Sequence, residues 1–205
     1  MMKDNKLKYD SSMPTLQMDP PLWPYTLDYK ETKTCQINPC PKKSWPGIWI
    51  MPMVDYTDKN GNPCAMVDAC APPKNKGEAF SLLKDNFERH YKSNRAPFGM
   101  FLHTSWFSSH HNFAGMLGFI EYLTTLPDVW ILNVGQAISL AQHPTAVGSV
   151  HGLAEWDCKK LSRPTLRCEK PNICPYTFGD GEARYISTCS TCPVNYPWVG
   201  NPGGN

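Results

Sequence analysis

Apolar positions recur every three to four residues over three stretches of this chain and run together over three others. Between Gly77 and Tyr91, the residues Phe80, Leu83, Phe87 and Tyr91 stand three to four apart, with Lys84, Asp85, Glu88 and Arg89 between them. That spacing predicts an amphipathic helix. Phe113, Met116, Leu117, Ile120 and Leu123 repeat it, and Gln136 to Gln142 reads as a shorter helix ahead of Pro144. The uninterrupted apolar runs are Ile48 to Val54, Phe98 to Leu102 and Val129 to Val134. Each is short and lies beside turn residues such as Gly47, Asp55, Asn94 and Asp128, so each is expected to be a buried strand, the first weakened by Pro52. Strand and helix alternating in this order predict βαβ crossovers, hence an α/β fold with a parallel sheet or barrel. Three such units make about half a barrel. Chemistry in these folds gathers at the C-terminal ends of the strands, and there this reading sets His103.

Residues 1–46 hold Pro14, Pro20, Pro21, Pro24, Pro39, Pro41 and Pro46, which break helices and demote strands, so extended loop is expected. From Cys158 onward the composition turns to Cys, Pro and Gly with little periodicity. The change divides the chain into residues 1–157, which carry the alternating elements, and residues 158–205. The latter are expected to be a disulfide-held wrap packed on the former, having too few large apolar residues for a core of their own.

Lys and Arg number 20 against 18 Asp and Glu, a formal net charge of +2. This balance offers no basic field to a phosphate backbone, so nucleic acid is excluded as an expected partner. No apolar run approaches the roughly 18 residues that would span a bilayer, and no membrane partner is expected. The nine cysteines lie mostly among Pro, Asn, Lys and Asp, the pattern of loop stapling in an oxidising, extracellular setting. Cys35 with Cys40, and Cys64 with Cys70, close short loops and are expected to pair locally. Cys189 and Cys192 have the spacing of half a zinc knuckle or a redox pair, but no second C-x2-C accompanies them, so they join the disulfide framework. His110-His111 lacks a third ligand at a useful spacing and reads as loop. No signal peptide is visible at the start, and the cysteine number is odd. Both features lead us to expect an upstream piece that carries a partner cysteine.

Four segments carry more specific information: Trp23-Pro24-Tyr25-Thr26-Leu27-Asp28-Tyr29, Asn86-Phe87-Glu88-Arg89-His90-Tyr91, Asn94-Arg95-Ala96-Pro97-Phe98-Gly99 and Leu102-His103-Thr104-Ser105-Trp106-Phe107. Together they resemble arthropod chitin deacetylases, which belong to the NodB-type polysaccharide deacetylases. The tail resembles them too, in Arg163-Pro164, Cys174-Pro175 and the stretch from Cys189 to Trp198. The resemblance implies the C-terminal half of a distorted (β/α) barrel that removes N-acetyl groups from chitin or N-acetylglucosamine oligomers. It implies zinc or another divalent metal as cofactor. The metal-holding motifs, an Asp-Asp pair and a His-x3-His pair, and an Arg-x-Pro-Tyr groove wall would belong to a missing N-terminal half of the same barrel. This chain would then hold no metal ligands and be inactive alone. By the same resemblance, His103 is the acid histidine and Asp28 the carboxylate that orients it. Tyr29 and Trp106 line the groove, and Phe101 and Leu102 shape the pocket for the acetyl methyl.

These residue types suit the reaction. The departing sugar amine must be protonated as the amide bond breaks, because an amide anion is a very poor leaving group, and imidazolium can supply that proton. A nearby carboxylate favours the charged ring and fixes which nitrogen faces the substrate. Without the resemblance, Asp28 in a Pro-rich turn equally suits an Asx-turn, and His103 a structural position. The alternative to a deacetylase fragment is a non-catalytic, secreted, chitin-associated protein.

Overall fold

In the computed structural model, residues 2–30, 36–153, 156 and 170–205 are described. The helices form where the apolar spacing put them: α1 over Lys76–Tyr91, α2 over His110–Thr124 and α3 over Val134–Gln142. Asn75 caps α1, its side-chain oxygen accepting from the Glu78 amide at 2.9 Å. Asn133 and Gln136 close a reciprocal capping box on α3. His110 and His111, read as loop, form the first turn of α2, where His111 Nε2 lies 2.8 Å from the Pro73 carbonyl.

The core lies between α1 and α2. Leu83 and Phe87 from α1 meet Met116, Phe119 and Leu123 from α2, and Phe87 sets its ring edge-on to Phe98 and Phe119. The face α2 buries is rotated from the predicted one: Phe113, Leu117 and Ile120 stay exposed while Asn112 and Gly115 go in. Gly115 makes this possible. A Cβ there would stand 2.5 Å from the Ala79 Cβ and 3.0 Å from the Lys76 carbonyl oxygen, so the two helices could not approach so closely. Gly115→Ala should therefore destabilise the protein by about 1–3 kcal/mol, although alanine is the better helix former by about 1 kcal/mol. Urea midpoints of the two proteins check this, and a stabilised variant would contradict it.

The strands are shorter than expected. β1 (Tyr9–Asp10) and β3 (Tyr25–Thr26) flank β4 (Trp49–Ile50), parallel and antiparallel respectively, and β2 (Pro14–Thr15) runs parallel to β5 (Met53–Val54). The run from Ile48 to Val54 is thus split at Met51-Pro52, where proline has no amide to donate. The segment 1–46, expected to be loop throughout, supplies the partners for both pieces. β6 (Tyr56–Thr57) and β7 (Pro63–Cys64) form a hairpin whose turn is held by Asp58, its Oδ1 accepting from the amides of Asn60 and Asn62 at 2.8 and 2.9 Å.

Phe98–Leu102 and Val129–Val134, expected as strands, are not. The first is irregular backbone pinned by the Tyr56 hydroxyl, which donates to the Gly99 carbonyl at 2.7 Å, and by the Val67 amide, which donates to the Phe101 carbonyl at 2.9 Å. The second is irregular up to Val134, where α3 begins. An apolar run reports burial, whereas a strand also needs a neighbouring edge to pair with. The fold is mixed α/β with short strand pairs, and no closed barrel is present among the described residues.

The chain divides into two units, Met1–Trp156 and Asp157–Asn205. The second contains an antiparallel hairpin absent from the sequence expectation, β8 (Asn172–Thr177) and β9 (Ala183–Thr188), with Tyr176 opposite Arg184. Cys64 is bridged to Cys70, as expected. Cys174 is bridged to Cys192, which removes Cys192 from any knuckle with Cys189, itself disulfide-bonded. The expected Cys35–Cys40 pair involves Cys35, which lies outside the described residues; Cys40 is disulfide-bonded. Among the described residues, no helix is long and apolar enough to cross a membrane.

Candidate functional site

His103 ends the irregular Phe98–Leu102 segment and caps a 3₁₀ turn over Thr104–Ser108. Its side chain is 68% exposed. Its ring Nδ1 lies 2.7 Å from Oδ2 of Asp68, and its own backbone amide donates to Oδ1 of the same carboxylate at 3.1 Å. One carboxylate therefore grips the ring and the backbone of one residue. Asp68 is held well in turn. It sits in the middle of a 3₁₀ turn, Val67–Ala69, between a fully buried Val67 and Cys70. The Cys64–Cys70 bridge ties that turn to the β6–β7 hairpin, and the Val67–Phe101 hydrogen bond ties it to the segment that carries His103.

The electrostatics follow from this packing. Partial burial, the largest influence on Asp68, pulls its carboxyl upward, but the hydrogen bonds from the His103 ring and amide outweigh it and hold the group below its ordinary value. Asp68 is thus ionised at neutral pH and can only accept, so Nδ1 carries a proton and donates it. Among the described residues Nε2 has no hydrogen-bond partner, and the side chain is mostly exposed.

The expected partner of His103 stands elsewhere. Asp28 is exposed, and its Oδ1 accepts from the Gly47 amide at 2.7 Å while its carbonyl accepts from the Ser44 hydroxyl at 2.5 Å. It closes the loop between β3 and β4 by binding backbone, as an Asx-type residue does. The structure brings Asp68, and not Asp28, to the imidazole. Tyr29, beside Asp28, is exposed. Phe101 and Leu102 are half-buried, Leu102 against the α1–α2 core. Trp106 is 7% exposed, its indole within that core and edge-on to Phe107.

The other conspicuous motif residues do architectural work. Asn86 accepts from the Thr57 amide and donates to the Thr57 carbonyl at 2.7 and 3.0 Å, standing in for a strand along the β6 edge. Arg89 donates to the Asp55 carbonyl and the Thr57 hydroxyl. His90 is buried, with Nδ1 3.0 Å from the Ala96 carbonyl. The Trp23 indole donates to the Asn94 carbonyl, and Asn94 donates to the Pro21 carbonyl, so two of the sequence segments hold one another.

Among the described residues, no group of three or more His, Cys, Asp or Glu could hold a metal ion. The described residues therefore offer no ligand set for the zinc that the resemblance implies. Sequence reasoning missed Asp68. The signal available was an acidic residue between two cysteines six positions apart, where a short bridge would fix it.

Two curated relatives bear on this arrangement. The chain is 39% identical over 211 residues to chitin deacetylase 8 of Bombyx mori, covering 100% of this chain and 54% of that protein. It is 32% identical over 219 residues to chitin deacetylase 1 of Bombyx mori, covering 100% of this chain and 40% of that protein. The chain spans about half the length of the curated relatives it matches. No family model matches it.

Proposed function

Because the chain is related along its whole length to one part of the chitin deacetylases, we propose that it supplies the proton-donating side of a chitin N-deacetylase site. The observation that carries this reading is the Asp68–His103 pair: an exposed imidazole whose Nδ1 is committed to an ionised carboxylate at 2.7 Å and whose Nε2 is left for a ligand. Water adds to the acetyl carbonyl, and His103, protonated at Nε2, gives that proton to the sugar nitrogen as the C–N bond of the resulting adduct breaks. The products are acetate, the free amine and a neutral imidazole still donating Nδ1–H to Asp68. Asp68 acts through His103 as a positioning residue, fixing the tautomer and the orientation of the ring. In this reading Phe101 and Leu102, next in sequence to His103, would bound the acetyl methyl, and Tyr29 would edge the groove.

In this reading the chain is the C-terminal half of a distorted (β/α) barrel, and its short parallel pairs β1–β4 and β2–β5 are remnants of a larger parallel sheet. The metal and its ligands come from the other half. The disulfides favour an extracellular setting. The test is a chimera in which the part of Bombyx mori chitin deacetylase 8 that precedes the matched region is joined to residues 1–205. Acetate release from N-acetylchitooligosaccharides is expected from the chimera and not from residues 1–205 alone. A folded, metal-loaded chimera that releases no acetate would favour the non-catalytic, chitin-associated alternative.

A further inference from the structure

The second unit carries an arrangement that the deacetylase reading does not use. Segment 193–205 folds back on the β8–β9 hairpin and is fastened there by the Cys174–Cys192 bridge and by the Tyr176 hydroxyl, which donates to the Pro193 carbonyl at 2.8 Å. The segment is also closed on itself. The Asn195 amide donates to the Gly204 carbonyl at 2.8 Å, Asn195 Nδ2 to the Asn205 carbonyl at 3.0 Å, and Trp198 and Asn201 exchange backbone hydrogen bonds at 3.2 and 3.0 Å. Gly200 takes φ +93° in the turn they enclose, a conformation that side chains with a Cβ rarely adopt. Trp198 is thus mounted on a small, doubly fastened loop.

Its ring is mounted as well. The Arg184 guanidinium lies 5.4 Å from the centre of the Trp198 ring and 4.7 Å from that of Phe178, and Tyr196 tilts against the indole with centroids 6.1 Å apart. Glu182 holds the guanidinium in place by two contacts at 3.2 and 3.0 Å. Despite these neighbours Trp198 remains 60% exposed. A large apolar ring kept in water contributes little to a core. Fixing it in advance removes most of the entropy that a binding partner would otherwise have to overcome.

We propose that Trp198 is a stacking platform for a chain of N-acetylglucosamine units, a carbohydrate-binding site in the second unit. A pyranose with equatorial substituents presents axial C–H bonds on each face, and such a face lies flat against an indole. Charge selects among ligands. Arg184 is neutralised by Glu182, with Asp180 close by, so the platform offers no net positive field to a phosphate or a sulfated polymer. A neutral sugar chain matches it. The ligand class rests on the chitin reading above; the site itself does not depend on His103.

The experiment is adsorption of the full chain, residues 1–205, to insoluble chitin, compared among wild type, Trp198→Ala and Trp198→Phe at low salt and at 1 M NaCl (about 3 Å Debye length). Trp198→Ala should lose affinity by about tenfold, and Trp198→Phe should recover most of it, since a smaller ring still stacks. Salt should change little. Equal adsorption by Trp198→Ala, no adsorption by wild type, or adsorption abolished by salt would each overturn the inference. If Trp198→Phe fell to the level of Trp198→Ala while both gave the wild-type circular dichroism spectrum, stacking would be overturned as the mode of contact. Acetate release by the chimera is a separate readout, so failure of the deacetylase reading leaves this result standing, and the reverse.

Discussion

His103→Ala, made in the chimera, is expected to lower the deacetylation rate by about 10²- to 10⁴-fold, the usual worth of a positioned general acid, while metal content and melting temperature stay near those of the parent. The reason is geometric. The ring is mostly exposed, so it contributes little packing, and among the described residues its hydrogen-bond partner is Asp68. Losing a metal ligand would remove metal and rate together, and losing a core histidine would lower stability while leaving turnover per folded molecule unchanged. Asp68→Asn should reproduce part of the loss, because the ring then lacks the carboxylate that fixes which nitrogen carries its proton. Asp28→Asn, whose carboxylate binds the Gly47 amide, should leave the rate near that of the parent. An unchanged rate per folded molecule in His103→Ala, or a loss in Asp28→Asn with none in Asp68→Asn, would overturn the assignment.

The second large effect belongs to His90 and to stability. This ring is 2% exposed, and burial, the largest influence, pushes it down from 6.5 to about 4, although the Ala96 carbonyl opposes that shift. Arg89 adds to the lowering. The unfolded chain takes up the proton from about pH 6.5 downward, while the folded chain refuses it until about pH 4. Between those values the unfolded state binds more protons, so stability is fully present above pH 6.5 and declines as the pH falls. The loss from this one group is about 3 kcal/mol, at about 1.4 kcal/mol per pH unit. Urea midpoints measured between pH 7 and 4 should show it. His90→Gln keeps a donor for the Ala96 carbonyl and cannot titrate, so its profile should lose the His90 contribution over that window; a slope equal to that of wild type would refute the account. A separate acid limb is expected lower down. Hydrogen bonds from Lys84 and Lys92 hold Glu88 at about 2, so the stability it adds above its ordinary value of 4.5 is lost as the pH falls toward 2.

The helices were legible because a 3.6-residue period needs only local sequence, and the Cys64–Cys70 bridge because two cysteines six positions apart readily come within bridging distance. The strands were less so. Burial of Phe98 and Leu102 against the core made them look like a strand, yet pairing depends on an edge contributed by distant residues. The site divides in the same way. His103 stood out in its segment, whereas its partner lies 35 positions away in a loop without periodicity, and Asp28 beside Tyr29 matched a two-residue pattern that turn chemistry satisfies equally well. Asn86, Arg89, Asn94 and Trp23 were conspicuous as a motif, and the hydrogen bonds they make give that motif a structural purpose.

The cysteine bridge behind Asp68 has a practical side. In protein made in a reducing cytosol, Cys64 and Cys70 would be free thiols, and the turn that holds the carboxylate would lose its tie to the β6–β7 hairpin. The helical core, which includes both cysteines but rests mainly on Leu83, Phe87 and Phe119, could still give a folded-looking spectrum. Such material would carry an imidazole without its clamp and under-report the chemistry of His103. Secretory or periplasmic production, with the thiols counted afterwards, is thus a condition for reading any activity measurement on this chain.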